Sequence, residues 1–202
     1  MKRALAVFLP AAALIAIAAT FPAPATAGAP AKFVGAPTCG TSSCHGSAKG
    51  SNEMKTWSDK DPHSSAFEKL SEEKGVKIAK AVGVENAEED AKCIGCHATA
   101  GDLAADRKEK TVLAEDGVGC ESCHGAGGGY KDEKHQKDPA WAKANGMIDL
   151  AAKDVRKTTC DACHGKIDEK MVAVGHPKAS AYDARETAYG KFAHWKTKKV
   201  SP

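Results

Sequence analysis

The sequence predicts a mostly α-helical protein with long loops, organised around something other than an ordinary apolar core. Three observations carry this expectation. Apolar residues such as Phe67, Leu70, Ile78 and Val82 recur at helix-compatible spacing, whereas strand-type alternation is almost absent. Large apolar side chains are scarce, since 202 residues include only 11 of the Phe, Trp and Tyr types although 42% are hydrophobic, as in a globular chain. Eight Cys and eight His are present in matched number, and the Cys fall into pairs. The length fits a single domain. The net charge of +3 and the intermixing of basic with acidic residues leave no dense basic footprint, which sets nucleic-acid binding aside.

At the amino terminus, Lys2 and Arg3 precede an apolar run from Ala4 to Ala19, then Pro22, Pro24 and the small-residue triplet Ala25, Thr26, Ala27. This reads as a secretory signal peptide over residues 1–27, with an uncleaved anchor as the competing reading. Residues 28–202 then form one exported domain. No later segment is apolar enough to span a bilayer, and no Cys follows the cleavage site to carry a lipid. The 175 residues that remain hold 27 basic and 26 acidic side chains, a balance of +1.

The elements of that domain follow in order. A short helix runs through Met54 and Trp57. Ser64 to Val84 is helical in spacing, with Ser71, Glu72 and Glu73 as a start signal for a new turn after Leu70. Asp138 and Pro139 supply an N-cap and first-position pair for a helix from Ala140 to about Lys143. Ile148 to Val155 leads into the last Cys pair. Gly46 to Gly50 and Gly125 to Gly129 suit either close backbone approach to a bulky group or a flexible turn.

The Cys pairs are CGTSSCH (Cys39, Cys44, His45), CIGCH (Cys93, Cys96, His97), CESCH (Cys120, Cys123, His124) and CDACH (Cys160, Cys163, His164). Three have the C-x-x-C-H pattern of covalent c-type haem attachment, and the first is a variant with four intervening residues. Two thioethers hold the porphyrin edge and the adjacent His is brought beneath the ring as proximal iron ligand. Disulfides and zinc ribbons also use paired Cys, yet neither explains the histidines. With His at about 4% of residues, its chance occurrence after all four pairs is on the order of one in several hundred thousand. The pattern predicts four covalently attached haem c groups and their iron, one for roughly every 44 residues of the exported domain. At that density the cofactors serve as the core, and the chain alone lacks the burial to fold. Eight ionised propionates would carry the formal balance from +1 to −7. The many Lys either neutralise them in part or belong to a solvated mixed surface.

Four irons need four distal ligands, and His63, His135, His176 and His194 remain. Met54, Met147 and Met171 are alternative donors. Bis-imidazole ligation is the simpler account of a four-to-four balance, and it leaves the potential lower than His/Met ligation does. It also fills both axial positions, so such an iron passes electrons without binding a substrate.

Several strings resemble the tetrahaem cytochrome c-554 family, a group of multihaem c-type cytochromes. They are WSDKDPHSSAF (Trp57 to Phe67), CIGCH, GVGCESCHGAG (Gly117 to Gly127) with a short gap to His135, and CDACH. Together they cover most of residues 37–165. The resemblance implies a multihaem cytochrome c fold of short helices packed around four stacked haems. It implies that His63 reaches the haem of His164, that His135 ligates the haem of His45, and that the haem of His97 can be five-coordinate. His176 and His194 do not align with it, which leaves the distal ligands of the His97 and His124 haems open, and the widened first motif departs from it.

The function expected is that of an exported tetrahaem electron carrier, periplasmic or extracellular, passing electrons from a donor to an acceptor protein through low-potential, mainly bis-His haems, and not that of an enzyme. Docking of such partners is a small, charge-guided contact. Two other readings compete. A five-coordinate haem at His97 would reduce nitric oxide, nitrite or hydroxylamine. Alternatively, a tail histidine donated to a neighbouring copy would build a homo-oligomer or an extracellular conductive filament.

Overall fold

The computed structural model describes residues 30–46 and 52–191. The expected signal peptide and His194 lie outside the described residues. Ten short helices follow one another there: α1 (Ala36–Cys39), α2 (Glu53–Lys60), α3 (Glu73–Ala81), α4 (Ala91–His97), α5 (Cys120–His124), α6 (Lys134–Lys137), α7 (Pro139–Ala144), α8 (Lys153–His164), α9 (Glu169–Ala173) and α10 (Tyr182–Tyr189). Five 3-10 turns and extended loops link them. Extended pairing among the described residues amounts to one isolated parallel bridge, Phe33 with Lys108.

The helices at Met54 and Trp57 and after Asp138 form as their sequences direct. The Asp138 carboxylate accepts from the Trp141 N–H at 2.9 Å, and Pro139 opens the helix. Residues 64–84 differ from the single helical segment their spacing predicts. They form 3-10 turns at Pro62–Ser65 and Glu68–Leu70, then α3, with extended Glu72 rather than Ser71 at its N-cap. The break lets Leu70 turn back onto Ala79, Val84 and Ala87, where Phe67, Val82, Cys93 and Ile94 also pack. A continuous helix would carry Leu70 away from that cluster.

The larger difference concerns the cysteine motifs themselves, which the sequence reading leaves between helices. In α4, α5 and α8 the motif is the helix, and the stretch 148–152 that leads into the last one is not helical. C-x-x-C-H spacing places Cys, Cys and His at i, i+3 and i+4, which is one face of an α-helix. Cys39 and Cys44 are five apart and cannot share that face. Accordingly α1 ends at Cys39 and the chain closes a tight turn, with the His45 N–H donating to the Cys39 carbonyl at 3.2 Å.

The buried apolar residues among those described are few and mostly small, namely Val34, Ala36, Leu70, Ala79, Val84, Ala87, Ala98, Tyr130, Ala142 and Tyr182. What occupies the middle of the molecule is a cavity of ≈ 1080 Å³. Gly125, Gly128 and Gly129 make close approaches, but to backbone. A Cβ on Gly125, where φ is +82°, would lie 2.5 Å from the Gly146 carbonyl oxygen, and one on Gly129 would lie 2.2 Å from that of Asn145.

Candidate functional site

The cavity gathers the chemistry that the sequence distributes along the chain. Its walls include Cys39, Cys93, Cys96, Cys120, Cys123, Cys160 and Cys163, together with all seven described histidines. Cys44 is not among the lining residues and sits on the 41–46 turn, 3.7 Å from the Ser43 hydroxyl. Trp57, Leu70, Ile78, Val82, Val118 and Leu150 supply apolar wall. The three candidate distal methionines, Met54, Met147 and Met171, line it as well.

Within it the histidines meet in pairs from distant parts of the chain. Ring centroids lie 5.9 Å apart for His45 and His135, 6.1 Å for His63 and His164, and 6.3 Å for His97 and His176. Each pair joins the histidine of one cysteine motif to one outside any motif. His124 lines the same cavity, while His194 falls outside the described residues. Cys39 lies beside Cys120 and Cys96 beside Cys163, so the first motif abuts the third and the second abuts the fourth.

Backbone and side-chain acceptors orient the rings. Nδ1 of His63 lies 2.8 Å from Asp61 Oδ1, and Nδ1 of His97 lies 2.7 Å from the Ala66 carbonyl oxygen. Nδ1 of His135 lies 2.5 Å from the Asp132 carbonyl oxygen, and that of His176 lies 2.9 Å from the Pro177 carbonyl oxygen. An Nδ1–H committed in this way leaves Nε2 as the free donor atom for a metal. Burial pushes the His97 and His164 imidazoles toward the neutral form, which is the form that ligates. Burial also pushes the Cys123 thiol up to about 12.

The sequence reading did not single out Asp61, Tyr189, Thr99 or Glu121. Burial acts to raise the Asp61 carboxyl, but the His63 ring and backbone N–H and the Tyr189 hydroxyl outweigh it and hold the group below the usual range. Asp61 stands two residues before His63 as the N-cap of a Pro-led turn, a local signal that was legible. Tyr189 reaches the same carboxylate from 128 residues away, and no local pattern announces it.

Two imidazoles bound to opposite sides of one iron, at metal–nitrogen distances of about 2 Å, bring their ring centroids to about 6 Å. The three observed pairs therefore fit haem iron, and the apolar walls with cysteine at their edges fit a covalently held porphyrin. All eight cysteines are free thiols, and no cluster of three or more His, Cys, Asp or Glu arranged for a metal ion occurs among the described residues. Helical C-x-x-C-H motifs opening onto one shared cavity define a c-type cytochrome, with haem c bound through thioethers.

Comparison with known proteins places it further. The family described as cytochrome c554 and c-prime matches residues 38–125. Cytochrome c-554 of Nitrosomonas europaea is 30% identical over 146 residues, 67% of this chain and 59% of that protein. The chain is thus similar to the cytochrome c-554 family, and it spans less than two thirds of the length of the curated relative it matches. No solved structure matches. No helix among the described residues is long and apolar enough to cross a membrane.

Proposed function

We propose that this chain is an exported tetrahaem cytochrome that relays electrons between a donor and an acceptor protein through bis-His haems. The pairing of motif and non-motif histidines across the cavity carries this reading. Each c-type haem supplies a one-electron iron couple, and the chain's own residues determine where that couple sits and what reaches it. Cys93 with Cys96, Cys120 with Cys123, Cys160 with Cys163, and Cys39 with Cys44 hold the four porphyrins. His97, His124, His164 and His45 bind from the proximal side. His135, His63 and His176 would supply a second nitrogen to the haems of His45, His164 and His97. An iron held by two imidazoles would pass electrons without leaving a place for a small substrate, so the three histidine pairs favour a carrier over a reductase. Two imidazoles also hold the potentials low.

The assignment of His176 matters most, because it closes the haem that the family resemblance would leave open. A pyridine haemochrome assay should return four haems per chain, and electron paramagnetic resonance of the purified holoprotein should show low-spin iron throughout. In His176→Ala, one haem should turn high-spin and bind added carbon monoxide when reduced. A high-spin signal already present in the parent protein, unchanged by His176→Ala, would move the reading to a reductase at His97.

A further inference from the structure

Behind His63 the structure has a feature that neither the motif pattern nor haem attachment requires. Asp61 is buried, with its side chain 4% exposed, and both of its oxygens are taken. Oδ1 accepts from the His63 backbone N–H at 3.0 Å and from the His63 ring at 2.8 Å, and Oδ2 accepts from the Tyr189 hydroxyl at 2.9 Å. An ionised carboxylate only accepts, so the ring nitrogen facing it must carry the proton. The Tyr189 ring also packs edge-on against His63, with centroids 5.7 Å apart.

Four other described rings are treated differently. His97, His135 and His176 face neutral backbone carbonyls. His45 lies near a carboxylate too, but Glu53 is 3.4 Å away and the His45 side chain is 40% exposed, so water weakens the contact. A buried full charge at hydrogen-bond distance draws the Nδ1 proton toward itself and makes Nε2 a stronger donor. A stronger anionic donor favours the ferric over the ferrous state.

We infer that Asp61 and Tyr189 are positioning residues that tune the haem facing His63, with Asp61 lowering its potential and the Tyr189 hydroxyl limiting how far. The hydroxyl shares the carboxylate's negative charge and so weakens its pull on the imidazole proton. Removing the charge and removing the hydroxyl must therefore act in opposite directions. Loosened packing around His63 would push both variants the same way. The inference rests on the haem assignment proposed above and adds to it a setting for one particular haem.

The test is a redox titration of the holoprotein followed by electron paramagnetic resonance, with the relevant signal identified as the one lost in His63→Ala. Asp61→Asn keeps the cap acceptor and the side-chain shape. It should raise that haem's potential by about tenfold in the oxidised-to-reduced ratio, about 59 mV for one electron, and leave the other haems in place. Tyr189→Phe should lower the same potential by a smaller amount. The inference is overturned if Asp61→Asn leaves the potential unmoved or moves all haems together, or if Tyr189→Phe gives a value at or above that of the parent. Absence of any low-spin signal in the parent protein would instead remove the haem assignment, so the two failures are distinguishable.

Discussion

Glu121 sits between the two cysteines of the third motif, 3% exposed, a charged side chain where a haem-edge helix would be expected to bury nothing polar. Its oxygens accept from the backbone N–H groups of Val34 at 2.9 and 3.0 Å, Gly35 at 2.7 Å and Gly127 at 2.6 Å. The carboxylate thereby ties the amino-terminal segment and the glycine-rich loop to α5. Thr99 plays a similar part nearby, accepting from the Gly119 N–H at 2.7 Å and donating to the Gly117 carbonyl at 3.1 Å. In Glu121→Gln one acceptor becomes a donor facing other donors, at a cost of about 1–3 kcal/mol. For a chain of this size that should lower the melting temperature of the holoprotein by about 2–10 °C. An unchanged melting curve by circular dichroism would show that the anchoring contributes nothing. Neither residue was legible in advance, because burial of a carboxylate depends on donors 86 and 87 residues away.

At the scale of elements, α10 shows how the tail is held. Arg156 of α8 pairs with Glu186 at 2.8 Å, Lys153 with Asp183 at 2.8 Å, and Arg185 reaches back to Asp161. The partnering cations hold the Glu186 and Asp183 carboxyls below their usual range. For a carboxyl depressed by folding, the stabilisation is complete above its unfolded value and fades as pH falls through the folded one. Docking of α10 should therefore weaken on acidification below pH ~4 and in high salt, where screening removes such exposed pairs. Limited proteolysis would read this as faster cleavage within 182–191 at low pH and in Arg156→Gln at neutral pH; equal rates in all three samples would exclude an ionic strap. Hydrophobic periodicity does not reveal α10, since its contacts with α8 are mostly ionic. The Asp138–Pro139 start was legible because its cap is local, whereas the split at Ser71 was hidden because only the tertiary position of Leu70 forces it. The helical nature of the motifs was legible in principle from their i, i+3, i+4 spacing. The meeting of His63 with His164, 101 residues apart in sequence, is a tertiary fact that local pattern cannot hold.

For the whole molecule, the short supply of large apolar side chains and the size of the central cavity are the same observation. Among the described residues, Val84 is the largest side chain with essentially no exposure, and the cluster of buried residues is built from Leu70, Ala79, Val84 and Ala87. All of the ten helices but α8, which has 12 residues, fall short of the roughly 12–15 needed for even marginal stability alone in water. Helix formation here must be bought by tertiary burial, and the cavity walls have no partner among the chain's own side chains. Walls of this apolar extent left facing water would gain nothing from burial to hold the short helices in place. If the walls closed instead, the histidine pairs could not keep their spacing. Porphyrins bonded at the cysteine edges resolve the conflict by supplying the missing surface. A chain made without its first 27 residues in the cytoplasm of a host that attaches no haem there should show weak far-ultraviolet helicity, no cooperative thermal transition and rapid digestion by trypsin. The same chain exported and haem-loaded should melt cooperatively. A haem-free chain that melts cooperatively with native-like helicity would mean that protein side chains, and not the porphyrins, fill the centre of this fold.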